Sequence, residues 1–164
     1  MFRRDFCATR AKINGRSPKI AQCSTVEFAS AKFELVGDGG AVEGLALLNS
    51  GAGYTVIDEE LPKTLDVGYT GLTVVLTSFS GQRISCREAI VNLITIEGKT
   101  APSELVAVCS IPDSIGELLR KQGANHQLVI GVHTIERLGY AIDVIEHRLI
   151  ESPGILMITL SATG

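Results

Sequence analysis

The 164-residue sequence predicts an all-β fold with one or two short helices. Three observations carry that prediction. Seventeen glycines and few aromatic residues stand beside many Val, Ile and Thr, the composition of short strands joined by tight turns. Apolar stretches, alternating or continuous, stop repeatedly at glycine. Helical spacing of apolar residues is confined to short segments late in the chain.

With 45% apolar residues the chain can fill one core and is too short for two ordinary domains. The net charge of −3 offers no electrostatic basis for binding nucleic acid. No apolar run approaches the roughly 20 residues of a membrane span. Met1-Phe2-Arg3-Arg4-Asp5 lacks the apolar region of a signal peptide. Cys7, Cys23, Cys86 and Cys109 form no C-x-x-C pair, which favours reduced thiols in a cytoplasmic protein over a metal site.

Residues 1–24 are rich in Arg and Lys and carry turn signals at Asn14-Gly15 and Ser17-Pro18, so they read as a loosely ordered basic arm. The remaining 25–164 form the domain. Ala31 to Val36 alternates apolar and polar residues as a half-buried strand does. Gly37-Asp38-Gly39-Gly40 is a hairpin turn, and it lacks the third glycine and following helix of a phosphate loop. The return strand, Gly44 to Leu48, runs into Asn49-Ser50-Gly51-Ala52-Gly53, and Tyr54 to Ile57 leads out as a buried strand. Gly51 and Gly53 are expected to supply positive φ or close backbone approach.

Asp58 to Leu65 is a polar turn or a single helical turn. Leu72 to Thr77 and Ile84 to Ile96 are strands of one long hairpin, with Ser80-Gly81-Gln82 at its tip. Glu104 to Cys109 is a further strand. A short helix opens at Pro112, with Ser114 and Glu117 at capping-box spacing, Ile115, Leu118 and Leu119 on one face, and Gly123 as its stop. Leu128 to Gly131 is an apolar run; Val132 to Leu138 reads as two helical turns ended by Gly139. Ala141 to Ile145 and Arg148 to Ile150 form a hairpin about Glu146-His147, and Ile155 to Leu160 is a last strand.

The stretch Leu47-Leu48-Asn49-Ser50-Gly51-Ala52, followed by Thr55-Val56-Ile57, resembles the active-site loop of the retropepsin-like aspartic proteases. The later order of Ile130-Gly131, helix, Gly139 and Ile142-Asp143 resembles the C-terminal half of that fold. The likeness spans roughly residues 31–150. It implies a closed β-barrel with a flap hairpin and a homodimer, since one chain carries one loop and a two-fold axis supplies the second. It also implies interleaved terminal strands and an extended peptide or protein substrate held under the flap. No cofactor or metal is implied.

The sequence departs from the family at the residue that matters most: Asn49 stands where the family has its catalytic Asp. Such enzymes activate water between two carboxylates that share one proton. An amide cannot act as that base. The function implied is therefore an aspartic-type endopeptidase in an inactive Asp-to-Asn form. The alternative is a non-catalytic pseudoprotease, a dimeric peptide-binding or interaction module. Asn49 marks the catalytic position; Ser50, Gly51, Ala52, Ser80, Gly81, Gln82 and Gly131 shape the site or contact substrate. Ser50 is expected to hydrogen-bond across the dimer. It is no serine nucleophile, because no Gly-x-Ser-x-Gly elbow surrounds it and neither His126, His133 nor His147 is placed as its helper. Asp143, in an apolar strand, is expected to serve a hairpin or interface hydrogen bond.

Overall fold

The computed structural model describes residues 28–77 and 81–152. The N-terminal arm, Ser80 at the hairpin tip and the strand expected at Ile155 to Leu160 lie outside the described residues.

Among the described residues the chain is mostly β, with nine strands and three short helices. Strand β1 (Ser30–Val36) buries Ala31, Phe33 and Leu35 and exposes the residues between them, the alternation of a strand with one face on a core. It turns at Gly37 to Gly40 into β2 (Ala41–Asn49), its antiparallel partner. The turn is pinned from outside by helix α1 (Leu61–Leu65): Gly39 N–H donates to Leu65 O at 2.9 Å. A Cβ on Gly37 would lie 1.9 Å from that same carbonyl oxygen, so only glycine fits.

Strand β3 (Thr55–Ile57) follows the Asn49 loop, and β4 (Gly68–Thr77) and β5 (Arg83–Ile96) make the long hairpin. Strand β4 starts earlier than the apolar pattern suggested. Gly71, at φ +83, marks an irregularity between Tyr69 and Thr73 and not the strand's beginning. Strand β6 (Lys99–Val108) also starts before its expected Glu104 and runs through Pro102. Pro102 is tolerated because only β5 pairs with that end of β6; β3 joins at Val106.

Helix α2 (Asp113–Lys121) has no capping box. Pro112 is the cap residue, its carbonyl receives the N–H groups of Ile115 and Gly116, and no side chain caps the helix. Its apolar face is also narrower than expected: Leu119 is buried with Leu47 and Ala124, while Ile115 and Leu118 are exposed. Gly123 ends the helix at φ +72, in the left-handed conformation expected of it. Strand β7 (Leu128–Gly131) passes directly into α3 (Val132–Arg137), stopped by Gly139 at φ +73. Strands β8 (Tyr140–Asp143) and β9 (Arg148–Glu151) form the separate final hairpin. Asp143 serves its turn, accepting the N–H groups of Ile145 and Glu146; these bonds hold its carboxyl below the usual carboxylate range.

Six strands close a barrel in the order β1-β2-β7-β3-β6-β5, with β5 returning to β1. The 14-residue β5 makes closure possible. One edge pairs with β4 from Arg83 to Ile90 and with β1 from Leu93 to Ile96, so its first half belongs to the hairpin and its second half to the barrel. Leu35, Ile57, Ile94, Ile96, Val106, Leu128 and Ile130 fill the interior and are fully buried. No helix of the described residues is long and apolar enough to cross a membrane.

Candidate functional site

Parallel pairing between β2 and β7 positions the loop. Leu47 aligns with Val129, Leu48 with Ile130 and Asn49 with Gly131. Asn49, Ser50, Gly51, Ala52 and Gly131 thus lie together at one end of the barrel. Asn49 closes the loop with both of its oxygens: Oδ1 accepts the Gly51 N–H at 2.9 Å, and the backbone O accepts the Ala52 N–H at 3.2 Å. Asn49 is half-buried, while Ser50 and Gly51 face solvent.

The loop caps the helix beside it. Ala52 O accepts the Val132 N–H at 2.7 Å, and Gly53 O accepts the His133 N–H at 3.2 Å. Two free donors at the start of α3 are satisfied by loop carbonyls, so the helix needs no side-chain cap. This seating requires Gly131. A Cβ there would meet Tyr54 O at 2.2 Å and Gly53 O at 2.8 Å. Gly51 and Gly53 are not among the glycines with positive φ; at Gly53 a Cβ would meet only the His133 ring, and the close backbone approach lies at Gly131 across the ladder.

A buried relay of hydrogen bonds lies behind the loop. Gly131 N–H donates to Thr55 Oγ1 at 3.1 Å, and the Thr55 and Thr134 hydroxyls are 2.6 Å apart. Thr134 donates to Glu104 Oε1 at 2.7 Å, and Arg137 pairs with Glu104 Oε2. An ionised carboxylate only accepts, so the Thr134 proton points to Glu104 and the Thr55 proton to Thr134. Arg137 is steered by the carbonyls of Pro102 and Ser103, where β6 is irregular and Ser103 has φ +52. Glu104→Gln can keep an oxygen toward Arg137 only by turning its amide nitrogen to Thr134 Oγ1; Thr134 must then donate to Thr55, which leaves the Thr55 proton without its partner and the guanidinium without its counter-charge. We expect a loss of about 1–3 kcal/mol in urea unfolding.

A second set ties the loop to the hairpin. Tyr54 O–H donates to Glu88 Oε2 at 3.0 Å, and Thr70 donates to Glu88 Oε1 at 2.9 Å. Glu88 is itself buried. Its hydrogen bond, then burial, then its charge push the Tyr54 phenol above the ordinary tyrosine range. The bond therefore contributes stability below the unfolded phenol's pKa and loses it as pH rises through the folded one. A spectrophotometric tyrosine titration is expected to show a late component that Tyr54→Phe removes.

Gly81 and Gln82 lie at the hairpin's connection, with Gly81 at φ +80. His133 sits against Gly53 and meets the Tyr54 ring edge-on at 6.4 Å between centroids. A cleft of about 380 Å3 opens beside the loop between Gly53, Tyr54, His133, Leu105 and Arg137; Asn49 and Ser50 do not line it. No cluster of three or more metal-binding side chains occurs among the described residues. Sequence reasoning missed Thr55, Thr134, Glu104, Arg137 and Glu88. The available signal was a polar residue inside an apolar strand, as Thr55 is.

The fold and loop define a closed six-stranded β-barrel that presents a small-residue loop at the junction of two parallel strands. No family model and no curated protein matches the chain.

Proposed function

We propose that the chain is a retropepsin-like endopeptidase scaffold that pairs as a homodimer, binds extended peptide beneath its β4–β5 hairpins, and does not hydrolyse it. The observation that carries this reading is the setting of Asn49. It ends one barrel strand, lies in register with Gly131, and has its side-chain oxygen already oriented by the Gly51 N–H. A carboxylate would occupy the same place and keep the same bond. The exposure of Ser50 at the loop tip also supports pairing through this face.

With an amide at residue 49, the site retains a shaped loop and loses the group that would take a proton from water. The test compares Asn49 protein with Asn49→Asp on a diverse peptide library at mildly acid pH, read by mass spectrometry. Pepstatin-sensitive cleavage by the variant alone supports the reading. Equal peptide affinity of both forms, with turnover in neither, identifies a peptide-binding module instead. Absence of peptide binding by either form leaves only a structural dimer.

A further inference from the structure

Two of the four cysteines meet outside the barrel core. The last pair of the β5–β6 ladder is Arg87 with Val108; Cys86 precedes it on β5 and Cys109 follows it just beyond β6, so the two flank the end of the ladder on adjoining chain segments. The two side chains share one face, packed with Ala107, Tyr54, Val56 and Ile84 in a cluster separate from the barrel interior. Both are free thiols and both are buried. Opposed residues of an antiparallel pair have Cα atoms about 4.5 or 5.5 Å apart, and disulfides span about 4.4–6.8 Å. The spacing at the end of such a ladder is therefore of the order that a disulfide spans.

We propose that Cys86 and Cys109 form a reversible cross-strand disulfide, made by exchange with a low-molecular-weight disulfide such as oxidised glutathione. One protein thiolate attacks a sulfur of the small disulfide, releasing one small thiol and leaving a mixed disulfide on the protein. The second protein thiolate attacks that protein-bound sulfur and expels the other small thiol. One small disulfide is reduced to two thiols, the protein dithiol is oxidised, and each thiol proton passes through solvent to a departing thiolate.

Burial, then the adjacent Cys86 thiol, then the charges of Asp58 and Glu59 hold the Cys109 thiol above the ordinary range; the Cys86 thiol donates to Ile84 O at 3.9 Å. The two reduced thiols pack as small apolar side chains. Oxidation changes what is connected. Cys109 is already joined to β3, its N–H donating to Ile57 O at 3.1 Å. A bond to Cys86 would fasten the hairpin half of β5 to the strand that leaves the Asn49 loop. This inference does not depend on the proposed peptide-binding function.

The experiment equilibrates the full 164-residue chain with graded mixtures of oxidised and reduced glutathione, blocks free thiols by alkylation, and maps non-reduced tryptic peptides. The expected product links residues 84–87 to residues 100–120, grows with oxidant and disappears with dithiothreitol. It persists when Cys7 and Cys23 are both replaced by Ser, and thermal unfolding of the oxidised form moves up by several degrees. Full alkylation of both peptides in folded, oxidised protein would overturn the proposal. So would a linkage to Cys7 or Cys23, or a glutathione adduct that never resolves. The mapping uses the unaltered chain, so it does not depend on any variant folding.

Discussion

On the proposed function, Asn49→Asp is expected to convert a non-hydrolysing scaffold into one that cleaves peptides, the largest change in activity any single substitution should produce. General acid–base function is worth roughly 100- to 10,000-fold in rate, and the proposed dimer lacks it on both subunits. Asn and Asp are nearly isosteric. The acceptor role toward Gly51 N–H at 2.9 Å passes unchanged to a carboxylate oxygen, so the loop should keep its shape. Two carboxylates brought together at a symmetry axis cannot both ionise cheaply, so one pKa rises and the other falls. Activity should follow a bell-shaped pH profile on the acid side, bounded by those two values. Sedimentation and circular dichroism would establish that the variant is dimeric and folded. A folded dimeric variant that leaves a diverse peptide library intact would remove the main support for an aspartic-protease site.

Gly131→Ala is expected to have a large effect on stability, about 3 kcal/mol by urea unfolding, at the upper end of overpacking costs. The backbone at Gly131 has φ −86 and ψ 165, which alanine adopts freely, so no conformational strain is involved. The obstacle is the Tyr54 carbonyl oxygen 2.2 Å from the new methyl group. Relief would require β7 or the loop to move, and either motion breaks the bonds from Ala52 O to Val132 N–H and from Thr55 Oγ1 to Gly131 N–H. Gly123→Ala is the control. That position has φ +72 and nothing within 4 Å of a Cβ, so alanine there should cost only the left-handed penalty of about 1–2 kcal/mol. Equal effects at the two sites would refute the steric account of the loop.

Strand positions were readable wherever one face of a strand is buried, because burial writes an alternating pattern into the sequence. Strand β1 shows this, with Ala31, Phe33 and Leu35 turned inward. Turns were readable where glycine takes a left-handed conformation, as at Gly81, Gly123 and Gly139. Pattern failed where a helix docks by few residues: Ile115 and Leu118 have helical spacing but α2 is anchored through Leu119. It also failed at Pro102, whose place in β6 depends on which neighbour leaves that edge free.

The sequence by itself determined an all-β chain, a polar small-residue loop between two buried strands, and an amide side chain at residue 49 within that loop. Those are properties of residue type and order, which chemistry assigns without coordinates. Only the tertiary structure decided that β5 serves both hairpin and barrel, that Gly131 is the glycine the loop cannot replace, and that Thr55, Thr134, Glu104 and Arg137 form one relay. Each of these joins residues far apart along the chain, and periodicity within one segment carries no record of which distant strand becomes its neighbour.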